Sequence, residues 1–332
     1  LHGYVTQAQC IGANGGMARY RLAVQPWLAF LGHGRDSAVF QDQTVLQIVQ
    51  SIFTDYQNTL QGSGKLQPAW RLDIADASVY PKRSLTTQYQ ESDLQFVERL
   101  LLEQGLFYWF DHSGDASNAS LVQHTLVLAD HNGAFKPNAR SQIRFSQSKG
   151  TIEDDAIDQW RPQRQWHTHA IELASWDYRT LGVRSVTEHA EQGGEDTSAY
   201  VPSNTPALVR QDTPGAYAYE NLSQGQRLAK NQHQAASVAG HSTTACGSVR
   251  ALAPGSTFTL SGHASASPSP QAILHLIHHA RNNLSAQLQA YSGLIGKSPT
   301  SPIENCASSY INHSELQGKA QGKAQDIFYR NA

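Results

Sequence analysis

The chain has 332 residues, of which 39% are hydrophobic and 16% charged, with a formal net charge of -2. That length accommodates two or three domains and a substantial core, while the near-neutral balance removes any electrostatic basis for a nucleic-acid or membrane-surface partner. Gln, Ser, Thr, Asn and His supply the polarity that charge does not, a composition that suits β-rich domains with polar loops better than a helical bundle.

The fifteen histidines add positive charge below about pH 6.5. Cys10, Cys246 and Cys306 are widely separated, odd in number and form no C-x-x-C pair. They read as reduced thiols of a protein made in the cytosol, not as a disulfide framework or metal knuckle. No stretch approaches the ~20 apolar residues of a membrane helix. The opening "LHGYVTQAQC" lacks a signal peptide's basic and apolar regions; it also lacks an initiator Met and starts like the middle of a strand, which predicts a fragment.

In chain order, the first 25 residues read as two strands joined at Ala13-Asn14-Gly15-Gly16, residues that tolerate positive φ. Tyr20, Leu22 and Val24 alternate with Arg19, Arg21 and Gln25, the period of a half-buried strand, and Pro26 should end that ladder or lie at its edge. From Gln41 the period changes. Val45, Ile48, Val49, Ile52, Phe53 and Tyr56 form one helical stripe, capped by Asp42 or Thr44 and ended by the polar run Gln57–Lys65. Mixed strand and turn follow to Gln90.

The next stretch, "QYQESDLQFVERLLLEQGLFYWF", gathers Glu91, Asp93, Glu98 and Glu103 before two apolar runs. Ser92 and Gln95 fit a capping box, Glu91 and Asp93 favour the positive end of a helix dipole, and Gly105 suits the left-handed closing position. The acids therefore need no chemistry to explain them. "LFYWF" reads as a buried strand and "HTLVLAD" as the strand that returns beside it. Beyond about Asn138, "QIRFSQ", "HTHAIELASWDYRT" and "SVTEHA" read as strands, Gln192 to Gly215 as a loop, and "YENLSQGQRLAKNQHQAASVAG" as a helix ending at Gly240. "SVRALAPGSTFTLSGH" and "QAILHLIHHARNN" read as further strands, and "QGKAQGKAQ" as a solvated loop.

Candidate chemistry is thin. His275, His278 and His279 would share a zinc on a helix, but their alternation favours a strand, which turns His278 away from the other two. His167 and His169 read as polar residues of an exposed sheet face. Neither G-x-S-x-G nor H-E-x-x-H occurs, and Ser242 and His241 would face opposite ways on a strand. "GKAQGKA" puts Ala320 and Ala324 where a phosphate loop needs Ser or Thr. The acid runs Glu153-Asp154-Asp155 and Glu195-Asp196 are the raw material of a glycosidase, but such runs are mostly solvated loops. Trp109, Trp160, Trp166 and Trp176 are candidates for sugar stacking, with packing aromatics the ordinary alternative. The sequence assigns no catalytic, cofactor-binding or metal residue.

Taken in order, "HGYV", "RYRLAVQPWLAFL", "VFQDQTVLQIV", "QYQESDLQFVERLLLEQGLFYWF", "HTLVLAD", "LAPGSTFTLSGH" and "IFYRNA" resemble the VgrG spike proteins of the bacterial type VI secretion system over nearly the whole chain. The resemblance implies an α+β, β-rich fold like a phage tail hub: barrel-like ring domains with an intervening α+β segment, assembled as a trimer. It divides the chain into the last strands of a truncated first ring domain (1–34), an outer α+β domain (35–138) and a second ring domain with one helix (139–332), the neck and needle being absent. It implies no catalysis and no cofactor. The implied partners are two further copies, the hexameric Hcp tube, a PAAR tip carried on the needle, baseplate components, and toxin effectors or adaptors. It implies synthesis in the bacterial cytoplasm and injection into a target cell. Protomer contacts would fall in the obligate class, above about 2,000 Å². A phage-tail baseplate hub is the alternative of the same class; a cell-wall hydrolase and a carbohydrate-binding module are those of other classes.

Overall fold

A computed structural model describes residues 1–14, 17–61, 66–113, 123–147, 155–189, 208–264, 269–280 and 330–331. The opening hairpin is present: β1 (Tyr4–Asn14) pairs antiparallel with β2 (Met17–Gln25), with register shifts between Val5 and Gln7 and between Cys10 and Gly12. Its turn glycines, Gly15 and Gly16, lie outside the described residues. Pro26 ends the ladder, as its missing N–H requires. The following Trp27–Gly32 wind into a 3-10 helix that turns Trp27, Leu28 and Leu31 into the core.

β3 (Arg35–Phe40) leads to α1 (Val45–Gln61), whose predicted stripe packs inward: Val45, Ile48, Val49, Ile52 and Phe53 are buried, with Tyr56 packed beside them. Thr44 caps it rather than Asp42. Gln47 N donates to Thr44 Oγ1 at 3.2 Å while Thr44 N donates to Gln47 Oε1 at 2.9 Å, a reciprocal box that satisfies two end-of-helix groups. β4 (Trp70–Asp73) and β5 (Thr86–Ser92) follow, β5 pairing antiparallel with β3.

α2 (Asp93–Gln104) has the capping box expected of Ser92 and Gln95, and Gly105 closes it at φ 71°. Phe96, Val97, Leu100 and Leu101 form its buried face. Ser92→Ala removes one half of the box and is expected to lower stability by about 1 kcal/mol, read as a shift of the urea midpoint. β6 (Phe107–Ser113) and β7 (Gln123–Ala129) pair antiparallel as expected, and β4 joins β7 in parallel, giving the order β4-β7-β6. Trp27, Ile48, Phe53, Phe96, Leu100 and Leu128 belong to the main core shared by these elements, and Trp109, Val127 and Ala129 of β6 and β7 to a second, smaller one.

Further along, β8 (Lys136–Arg144), β9 (Ile157–Arg164), β10 (Ala170–Asp177), β11 (Gly182–His189) and β12 (Val209–Ala216) precede α3 (Leu222–Gly240). β13 (His241–Gly247), β14 (Ser256–Ser261), β15 (Gln271–Ala272), β16 (His278–His279) and β17 (Arg330–Asn331) complete the described strands. They form sheets ordered β11-β10-β12, β16-β17-β13-β9 and β15-β14-β8. Six sheets of two to four strands lie among the described residues, and none closes on itself. α3 covers the β10–β11 sheet: Ala229 is buried beside Ile171 and Leu173, and Tyr219 Oη donates to Leu173 O at 3.1 Å. A Cβ on Gly225 would sit 2.8 Å from the Tyr219 ring, so this glycine admits the tyrosine at the expense of helical propensity.

Several expectations are corrected. Of the loop foreseen over Gln192–Gly215, residues 192–207 lie outside the described residues, and its end belongs to β12, an exposed edge strand parallel to β10. Pro214 escaped the strand reading, but it falls where the register shifts between Leu173 and Ser175 and the ladder asks for no donor. Pro162 similarly concealed β9, which lies at the edge of its sheet, where proline is tolerated. "QAILHLIHHARNN" is not one strand. Ile273 N donates to Ser256 O at 3.0 Å and Ile273 is buried, so the chain leaves β14 there and pairs again only at His278–His279. His167 and His169 precede β10 instead of lying on it. Cys306, "QGKAQGKAQ" and the pairs Glu153-Asp154 and Glu195-Asp196 lie outside the described residues.

Candidate functional site

The acidic candidates are engaged by partners of opposite or complementary chemistry. Glu91 pairs with Arg99 at 2.5 Å, and Glu103 with both Arg83 at 2.9 Å and Arg99 at 3.2 Å. Asp93 accepts from Tyr56 Oη and Gln88 Nε2, each at 2.7 Å, and Glu98 from Tyr108 Oη at 3.2 Å. Burial, with Asp93 beside it, pushes the Tyr56 hydroxyl well above the usual tyrosine range, so it remains a donor. These acids tie α2 to α1, β5 and β6. Asp155 accepts from Arg250 N and Nε at 3.1 Å; despite its burial, those bonds hold it below the usual carboxylate range.

No group of three or more His, Cys, Asp or Glu among the described residues has metal-holding geometry. His278 Nε2 lies 3.0 Å from Leu252 O, whereas His275 and His279 are exposed. The His167 and His169 rings stack at 6.3 Å. Trp109 is buried against Phe107 and Phe135, and Trp160 meets Phe258 edge-on; Trp166 and Trp176 are exposed.

A cleft of about 560 Å³ separates Tyr80, Asp130 and His131 from α3. Its polar walls bind one another. Asp130 accepts from Ala75 N, Tyr80 Oη and His131 Nδ1, while Arg227 donates to Gln104 Oε1 at 2.5 Å and lies over the Tyr80 ring at 4.9 Å. Asn231 Nδ2 also donates to Gln104 O at 3.0 Å. The cleft is thus a polar seam between α2 and α3.

What remains unpartnered is a surface. Residues paired across an antiparallel ladder share a face, so Val5, Ala8, Cys10, Ala18, Tyr20, Leu22 and Val24 lie on one side of the hairpin. Arg19, Arg21, Gln7, Gln9 and Gln25 lie on the other. The expected alternation is present, but the apolar side is not half-buried: Tyr20 is 63%, Leu22 55% and Val24 55% exposed. Both outer edges of this two-stranded sheet are open among the described residues. A ribbon of two strands is marginal alone and is a template for another chain. The hairpin's anchor is its base, where Tyr4 packs on the core and its hydroxyl accepts from Gln67 N at 3.0 Å. Further exposed apolar groups, Trp176, Tyr178, Leu181 and Val183, cluster on the β10–β11 hairpin.

The described residues thus combine small sheets, helices packed on them and exposed apolar faces, and the phage-tail-hub fold they adopt is that of a structural family. The chain belongs to the phage tail baseplate hub (GPD) family, whose profile matches residues 1–284. It is 26% identical over 270 residues to the type VI secretion system spike protein VgrG1b of Pseudomonas aeruginosa, an alignment covering 79% of this chain and 32% of that protein. The resemblance to VgrG spike proteins therefore holds, and the chain spans about a third of the length of the curated relatives it matches. In fold it is similar to the E. coli c3393 protein, a component of the type VI secretion system (TM-score 0.50, 19% identity, 80% of this chain and 52% of that one). It is also similar to a tail protein of Neisseria meningitidis MC58 (TM-score 0.54, 13% identity, 82% and 73%). No helix among the described residues is long and apolar enough to cross a membrane.

Proposed function

We propose that this chain is the hub region of a type VI secretion spike, a structural part that carries no catalysis of its own. Its relatives are named as spike proteins of that system, and the observation that carries the reading is the uncovered apolar face of β1–β2 on a family-matched fold. In this reading residues 1–34 belong to a first ring domain, 35–138 to an outer α+β domain, and 139–332 to a second ring domain. Three copies cover one another's apolar faces. Two similar domains per chain in three chains present six similar faces, which lets a threefold hub dock on the sixfold Hcp tube. The needle, PAAR tip, baseplate and toxin cargo attach around this hub, and the assembly is made in the cytoplasm and fired into a neighbouring cell.

Deleting the reading frame that encodes the chain is expected to abolish release of the tube protein into the medium, and complementation to restore it. Unchanged release, with loss of infectious or tailocin-like particles instead, would transfer the hub to a phage-type tail.

A further inference from the structure

The base of the hairpin contains three imidazoles that the spike reading does not use. His124, 1% exposed on β7, receives the Trp27 backbone N–H on Nε2 at 2.9 Å. That bond requires a lone pair, so the neutral ring carries its proton on Nδ1. His124 Nδ1 lies 2.6 Å from His2 Nδ1, so His124 donates and His2 accepts, its own proton being on Nε2. The backbone N–H of His2 in turn donates to His112 Nδ1 at 3.2 Å, which fixes the third tautomer. Each ring thus uses a lone pair that a proton would occupy.

From this relay we propose that His2, His112 and His124 form an acid-released latch between the β1–β2 hairpin and the α+β core. A proton on His124 turns Nε2–H against Trp27 N–H; one on His2 turns Nδ1–H against Nδ1–H of His124; one on His112 opposes the His2 amide. Any of the three opens the relay at the residues that lead into β1 and begin the 3-10 helix.

The groups around the relay give an imidazolium little help. Tyr4 and Phe110 present rings to it. Asp111, the acid beside His112, is held by Arg71 at 2.6 Å and by Trp109 Nε1 at 3.0 Å. Burial, with the charges of His2 and His112, lowers His124 from 6.5 to about 4, and burial lowers His112 as well. A histidine depressed in the fold favours the fold above its unfolded value. Its contribution is complete above about pH 6.5 and lost as pH falls through about 4.

Hydrogen exchange on the whole chain tests this, read as protection factors so that the pH dependence of intrinsic exchange is removed. Between pH 7.5 and 4.5 protection of the β1, β2 and Trp27 amides is expected to fall roughly tenfold or more, with β10 and β11 unchanged. His124→Gln, whose side-chain amide can accept from Trp27 and donate to His2, is expected to reduce that pH dependence most, His2 and His112 still titrating; His112→Gln, which keeps an acceptor for the His2 amide, should reduce it less. Equal hairpin protection at both pH values, a loss shared equally by β10 and β11, or an unchanged pH response in both variants would overturn the latch. None of these readouts depends on secretion, so the latch and the spike reading fail separately.

Discussion

Trp27→Ala is expected to lower the stability of the α+β core by about 3–5 kcal/mol. The side chain is fully buried, and its ring meets Phe53 edge-on at 4.9 Å and Trp70 at 6.4 Å. Its Nε1 donates to Ala69 O at 3.2 Å. Truncation removes the largest fully buried side chain among the described residues and leaves a cavity between α1 and β4 that the rigid elements cannot close; the Ala69 carbonyl loses one of its two donors and keeps Leu126 N at 2.9 Å. A urea titration followed by far-ultraviolet circular dichroism measures the loss. Trp166→Ala is the internal control: that tryptophan is 63% exposed, and its removal should change stability by less than about 0.5 kcal/mol. Equal effects at the two positions would mean that Trp27 does not anchor this core.

The second large effect concerns assembly. On the proposed hub reading, Leu22→Asp with Val24→Asp in the full-length protein is expected to convert a trimer into monomers while leaving the unfolding midpoint of the α+β core in place. Both residues are exposed in the single chain, so the carboxylates disturb little there. Buried in a protomer contact without partners, each would cost several kcal/mol, and together they repel. Light scattering decides it. A variant that keeps its threefold mass would show that the hairpin's apolar face is not where the copies meet.

How much of this was legible in the sequence depended on whether a residue's neighbours were close along the chain. The Ser92–Gln95 box, the Gly105 closure and the α1 stripe are local patterns, and each appears where expected. The β6–β7 pair could be read from two dense apolar runs. β9 and β12 could not, because each carries a proline and few apolar groups and takes its pairing from a distant strand. The period of two in β2 was legible, but not that its apolar side faces outward, since a pattern shows which face seeks cover and not what provides it. The histidine relay was hidden for the same reason. His2, His112 and His124 stand in three separate segments, and only folding places their nitrogens together. The signal that could have hinted at it is two histidines, His112 and His124, on strands already read as neighbours.

The parallel pairing of β8 with β14 also has a consequence for synthesis. Ser261 Oγ donates to Ile143 O across a separation of 118 residues, and the same ladder spans Lys136–Arg144 and Ser256–Ser261. A ribosome adding about 5–20 residues per second needs roughly 6 to 24 s to deliver β14 after β8 has emerged. The α+β core, whose members end by Ala129, can fold during that interval. β8 cannot meet its parallel partner until β14 emerges, so its side of that ladder stays open through that interval, an unpaired edge in the nascent chain.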